Sequence, residues 1–195
     1  MSSRASNFRR SAAETPCCSW AAGALFFLVL CIAILPDFLQ GQSVLLNRPA
    51  PQFVRTDLSG RQVDLKAFRG KVVLLNFWAT WCGPCLVELP QFQAWQQKYG
   101  SAGFQVIAVS MDDEVAPVRA AVRKMHLRLP VVMGDDKLGS LYGGVLGLPI
   151  TFLIARDGTV VDRHEGAADT PMMERKVRTL LALHQAIPGG SGAGF

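Results

Sequence analysis

Polar and apolar positions divide this chain into blocks of clearly different period. The first block is uncharged: "TPCCSWAAGALFFLVLCIAILP" runs from Thr15 to Pro36. Its apolar centre, Trp20 to Leu35, together with the uncharged flank from Pro16, reaches the ~20 residues a spanning helix needs. Arg4, Arg9 and Arg10 precede it, which by the positive-inside tendency keeps residues 1–15 in the cytoplasm and sends the rest of the chain across. We expect one transmembrane signal-anchor over 16–36. The alternative is a cleaved signal peptide, but no small-residue A-x-A site follows the run. Leu30 is bulky where a lipoprotein signal carries a small residue. Residues 36–51 carry three prolines and no clear periodicity, so 37–50 reads as a linker. The last eight residues, "PGGSGAGF" (188–195), read as a disordered tail.

Between linker and tail, residues 51–187 alternate strand and helix patterns. Gln52–Asp57 and Gln62–Leu65 predict a hairpin with Ser59-Gly60 at its turn. "KVVLLNFW", Lys71–Trp78, is a continuous apolar run of strand length, as expected for a central strand covered on both faces. A helix is predicted from about Pro84 to Tyr99, and Phe104–Met111 is a second buried strand. Glu114–Met125 reads as a helix with Pro117 in its first turn, and "LPVVM" (129–133) as a short strand. Pro149–His164 predicts two strands around a turn at Asp157-Gly158. The terminal helix begins with Thr170 as N-cap and Pro171 at the first helical position, and Leu180, Leu181 and Leu183 are among its apolar positions. Strands followed by crossover helices indicate an α/β domain, a mixed sheet with helices on both faces.

Size and charge narrow the function classes. At 195 residues, 50% of them hydrophobic, the chain can build one domain with a full core. The net charge of +5 is scattered, with no basic stripe or interleaved aromatics, which argues against a nucleic-acid footprint. Of five cysteines, Cys17, Cys18 and Cys31 fall before or within the apolar run. Only Cys82 and Cys85 belong to the globular part. A bridge between residues three apart closes a small loop and constrains little of the unfolded chain, so a structural staple is a poor explanation. A zinc site needs more ligands. There is no second CxxC, and His126, His164 and His184 are dispersed, so no metal is expected.

Redox chemistry remains. Cys82 falls where strand gives way to helix, with Pro84 in the first turn, where its missing N–H costs nothing. Free backbone N–H groups and the helix dipole then favour a Cys82 thiolate; cysteines so placed have pKa values of about 3.5 to 7.5. Cys85, one turn in, is expected to be more buried. The asymmetry makes Cys82 the attacking thiolate and Cys85 the resolving one, while Gly83 permits close approach.

The stretch "FWATWCGPC" resembles the active site of the thioredoxin superfamily. "ELP", with Glu88 three residues past Cys85, and "GLPITFLIARDGTVVDRHEG" resemble the TlpA/ResA-type branch, the redoxin-like (AhpC/TSA) group of membrane-anchored thiol–disulfide oxidoreductases. The resemblance covers about residues 48–186. It implies a thioredoxin fold with an N-terminal β-hairpin and an inserted βα unit. It implies that Pro149 is the cis-proline beside the two sulfurs, that Pro90 kinks the active-site helix, and that Glu88 is the branch's carboxylate near Cys85. Trp81, Gly83, Pro84 and Leu148 then border a substrate's disulfide, while Trp78 belongs to the core. No cofactor is implied beyond the Cys82–Cys85 pair. The implied partners are disulfide-bearing protein substrates and a membrane electron donor of the DsbD or CcdA kind. The implied location is the cytoplasmic membrane of a bacterium, with a monomeric catalytic domain on the periplasmic side. Cytochrome c maturation is one setting for such a protein.

Two departures qualify the resemblance. Asn76 stands where thioredoxin has a buried Asp, and Ile150 stands where the haem-pathway relatives CcmG and DsbE carry Glu. Two other readings share features with this one. A peroxiredoxin-like peroxidase would want Thr at the position of Ala79. A Sco-type copper carrier would want CxxxC and a distant histidine.

Overall fold

Every residue of Val72–Trp78 is buried, and in the computed structural model, which describes residues 45–183, this segment (β3) is the middle strand of the sheet. Phe104–Ser110 (β4) and Val131–Met133 (β5) lie on one side of it and run parallel. Ile150–Ile154 (β6) and Val160–Glu165 (β7) lie on the other side, each antiparallel to its neighbour. The order is β5-β4-β3-β6-β7. A strand covered on both faces must be apolar throughout, which is why β3 shows no alternation.

The two faces form two cores. Val73, Leu75 and Phe77 pack with Tyr142, Ile150 and Phe152 on one face. Leu74 and Trp78 pack on the other with Cys82, Cys85, Leu89 and Phe92. Helices Gly83–Tyr99 (α1), Val115–Lys124 (α2) and Thr170–Leu183 (α4) cover this second face. The first face is covered by a short helix, Asp136–Leu141 (α3), and by the N-terminal segment through Leu138, Phe53 and Val63. The predicted hairpin is present as Val54–Thr56 (β1) and Gln62–Asp64 (β2), a separate two-stranded sheet. Its turn uses Gly60 at φ 87°. The Asp57 carboxylate accepts from the backbone N–H groups of Ser59 and Arg61. Asp57 also bridges to Val132, so the hairpin lies along the β5 edge.

Several expectations need adjustment. The sequence reading missed α3, which with β5 makes the βα step inserted before β6. Six residues containing Gly139 and Ser140 have no helical period, and the helix starts because the Asp135 side chain accepts from Leu138 N. The terminal helix is capped by Asp169, whose carboxylate accepts from Met172 N at 3.0 Å, so Thr170 is the first helical residue rather than the cap. Asp outranks Thr at that position. Strand β5 begins only at Val131, after Pro130. Residues 1–15, the expected anchor 16–36, the linker up to 44 and the tail 188–195 lie outside the described residues. Among the described residues, no helix is long and apolar enough to cross a membrane.

Candidate active site

The chain leaves β3 at Trp78 and turns tightly, with Cys82 N donating to Ala79 O at 3.1 Å. Cys82 is the N-cap of α1 in extended conformation, and its sulfur accepts from Cys85 N at 3.3 Å. Gly83 and Pro84 fill the first two helical positions. The helix starts here because proline needs no N–H partner in a first turn and the Cys82 sulfur takes up one of the free amides. Cys82 and Cys85 form a disulfide with Cα atoms 5.3 Å apart. Cys82 is 5% exposed and Cys85 fully buried. The order is the expected one, with Cys85 the more buried of the two.

An acid that the sequence reading overlooked holds the turn. Asp112, buried in the loop after β4, accepts from Thr80 N at 3.0 Å, from Thr80 Oγ1 at 2.5 Å and from Ser110 Oγ at 2.8 Å. Thr80 lies two residues before the first cysteine, so Asp112 fixes the approach to the redox pair. The only signal in the sequence was an acidic residue directly after a buried strand.

The Leu148–Pro149 peptide is cis, as the resemblance implied. Pro149 is buried and its carbonyl accepts from Gly166 N at 2.8 Å. Two residues on, Ala168 N donates to Glu88 Oε1 at 2.5 Å. The strap 166–168 therefore joins the cis-proline to the active-site helix. Gly166 sits at φ 79°, a backbone angle that favours glycine. Nothing marked Ala168, because its contribution is a backbone amide.

Glu88 is 4% exposed, on the same side of α1 as Cys85, three residues earlier. Its Oε2 is buried without a hydrogen-bond partner. Burial pushes its carboxyl above the ordinary carboxylate range, against the opposing pull of the Ala168 amide and the nearby His164. Asn76 is fully buried on the same face of the sheet and donates to Thr151 Oγ1 at 3.0 Å, leaving its Oδ1 unpartnered. Trp78 is fully buried, with its indole N–H also unpartnered. Pro90 lies inside α1, where it leaves the Leu86 carbonyl without its helical donor.

Around the disulfide the surface is apolar and open. Trp81 is 71% exposed, Gly83 and Pro84 are exposed, and Leu148 is half-buried. Val87 and Leu146, which the sequence reading did not single out, are also exposed. Ile150, straight after the cis-proline, points into the core. Among the described residues, no three His, Cys, Asp or Glu side chains converge on a possible metal position.

A dithiol pair at a helix N-terminus beside a cis-proline, on this sheet, defines a protein that exchanges disulfides. The comparisons agree and narrow the class. The Redoxin family model matches residues 45–181. The thiol-disulfide oxidoreductase ResA of Bacillus thuringiensis subsp. konkukian (strain 97-27) is 35% identical over 163 residues, covering 80% of this chain and 93% of the relative. ResA of Bacillus subtilis (strain 168) is 34% identical over 120 residues, covering 62% and 67%. Among solved structures, a thiol:disulfide interchange protein of the thioredoxin family from Chlorobium tepidum TLS superposes with TM-score 0.64 at 28% identity, covering 68% of this chain and 95% of that one. The chain belongs to the redoxin family, within the ResA-type thiol–disulfide oxidoreductases of the thioredoxin superfamily.

Proposed function

We propose that this thiol–disulfide oxidoreductase is held at the bacterial cytoplasmic membrane by residues 16–36 and reduces disulfides of extracytoplasmic proteins. The observation that carries the reading is the Cys82 sulfur at the N-cap of α1, with the backbone amide of Cys85 aimed at it. Once the pair is reduced, that amide and the helix dipole stabilise a Cys82 thiolate. The thiolate attacks a substrate disulfide and forms Cys82–S–S–substrate, and the displaced substrate sulfur leaves as a thiolate and takes up a proton. Cys85 then loses its proton and attacks the Cys82 sulfur. The Cys82–Cys85 disulfide forms, and the second substrate thiol is released, so two electrons have passed to the substrate. Glu88, buried on the face of α1 that carries Cys85, takes the proton that Cys85 gives up. Trp81, Gly83, Pro84 and Leu148 present the apolar surface on which the substrate chain lies, with Pro149 beneath it.

A membrane donor of the DsbD or CcdA kind returns the pair to the dithiol state, and the domain works as a monomer. Apocytochrome c fits as one substrate of this chemistry. The buried Ile150 leaves the domain without the carboxylate that haem-pathway relatives carry there, which favours a broader substrate range.

The test is a Cys85→Ser trap in the full chain. A mixed disulfide should accumulate on Cys82 with extracytoplasmic proteins and should disappear in the additional Cys82→Ser variant. Trapping through neither cysteine refutes the reading. A phosphatase fused after residue 195 should be active outside the cytoplasm and remain with the membrane; a soluble, N-terminally trimmed product would contradict the anchor.

A further inference from the structure

Hydrogen bonds tie the turn that carries Cys82 to the end of β4. Met111 N donates to Trp78 O at 2.8 Å, and both Thr80 N and Thr80 Oγ1 donate to the Asp112 carboxylate. Ser110 Oγ donates to the same carboxylate at 2.8 Å. Asp112 is 9% exposed, and no basic side chain pairs with it among the described residues. Its partners there are neutral donors. A carboxylate that accepts from three groups aimed at it is held as the anion. Buried carboxylates are ordinarily paired with a cation. An unpaired one beside a reactive cysteine acts on that cysteine through its field.

The charge stands close to the redox pair. Asp112 Oδ2 is 3.0 Å from Thr80 N, and two residues of chain reach at most about 7 Å from there to Cys82. The bond from Cys82 N to Ala79 O folds that stretch into a turn and shortens it. The carboxylate and the Cys82 sulfur are therefore separated by on the order of 10 Å. Over that distance a unit charge changes the stability of a thiolate about twofold under water-like screening, and about fifteenfold at an effective dielectric constant of about 20. The remaining charged groups at this end are screened or placed elsewhere. Asp113, Glu114, Asp136 and Lys137 are exposed, and Asp135 is paired with Arg55. Glu88, with His164 nearby, lies on the face of α1 that carries Cys85.

We propose that Asp112 is a positioning residue that sets the reducing strength of the pair: its buried charge opposes the Cys82 thiolate and keeps the couple reducing. The helix terminus stabilises that thiolate, and Asp112 works against it. Reduction adds two electrons to the Cys82–Cys85 bond, one proton goes to Cys85, and Cys82 is left as the thiolate. The disulfide carries no charge, so Asp112 destabilises only the reduced state, and a less stable reduced state is a stronger electron donor. The proposal rests on the dithiol chemistry given above. The potential of the parent tests the direction of electron flow, whereas the difference between variant and parent tests Asp112.

The test compares the reduced full chain with Asp112→Asn, whose amide keeps an oxygen for the Thr80 donors and loses the charge. Asp112→Ser takes its place if the amide unfolds the domain. Iodoacetamide labelling of Cys82 from pH 4 to 9, read by mass spectrometry, gives the pH of half-maximal rate. In the variant that midpoint should fall, by an amount that corresponds to a thiolate about threefold or more better stabilised. The potential against glutathione at pH 8, with the reduced fraction counted on the peptide that carries Cys82 and Cys85, should rise by about 14 mV or more, the same threefold at about 29.6 mV per tenfold. Ser110→Ala removes one hydrogen bond and keeps the charge, so its midpoint should stay with the parent's. A midpoint and potential that move by less than threefold overturn the proposal. So does a rise in the limiting rate at high pH with the midpoint in place, which would report a looser turn. An equal shift in Ser110→Ala also overturns it, because the geometry of the turn would then carry the effect.

Discussion

Glu88→Gln separates a working carboxylate from a structural one. The amide side chain fits the same space, and its oxygen can still accept from Ala168 N, which now meets Glu88 Oε1 at 2.5 Å. The atom replaced by NH2, Oε2, has no protein partner to lose. The fold should therefore survive, with stability at low pH within about 1 kcal/mol of the parent, the scale of one exchanged neutral hydrogen bond. The pH dependence should change. Burial raises the Glu88 carboxyl in the folded chain above its value in the unfolded one. Between those two values the folded state holds the extra proton, so parent stability falls as pH rises through that window. The Gln variant lacks this slope and becomes the more stable protein above the window. Its kinetics move the other way. A positioned acid–base group contributes about 10²–10⁴-fold, so resolution by Cys85 should slow by about 10²-fold or more, while attack by Cys82 changes little. Single-turnover quench-flow with a disulfide peptide, read as decay of the mixed disulfide from pH 5 to 9, measures the step. Parent and variant decaying at the same rate across that range would refute the role of Glu88.

Asp112→Ala strips three hydrogen bonds from Thr80 and Ser110. Loss of bonds to a charged acceptor should cost about 2–4 kcal/mol in urea unfolding, allowing for their non-additivity. A cost below about 0.5 kcal/mol would mean that the turn before Cys82 is held by something else. In the reduced protein, Cys82 should react with iodoacetamide at least about tenfold faster than Cys85 near neutral pH, because only it caps the helix; mass spectrometry of partially alkylated protein showing equal rates, or a faster Cys85, would reverse the assignment.

Much of this architecture was legible because it is written in runs and punctuation. The unbroken apolar stretch of β3 announced a strand covered on both faces, and Gly60 and Gly158 marked turns that the structure closes at positive φ. The cysteine pair was found by its place between strand and helix. What escaped reading depends on contacts between distant segments. Asp112 acts on Thr80 across 32 residues, and Ala168 holds Glu88 across 80; no local pattern encodes either. Helix α3 was invisible because Gly139 and Ser140 break its period, and it exists through tertiary burial of Leu138 and the Asp135 cap.

The direction of electron flow is the central claim, and the equilibrium potential of the Cys82–Cys85 couple tests it most directly. The Gly-Pro pair between the cysteines resembles the reducing members of the superfamily. Titration of the purified protein against defined thioredoxin or glutathione couples, with the reduced fraction counted by thiol labelling, should give a potential below about −200 mV, towards thioredoxin at about −270 mV. A value at or above about −120 mV, where a strongly oxidising relative lies, would contradict the account and make the protein a donor of disulfides.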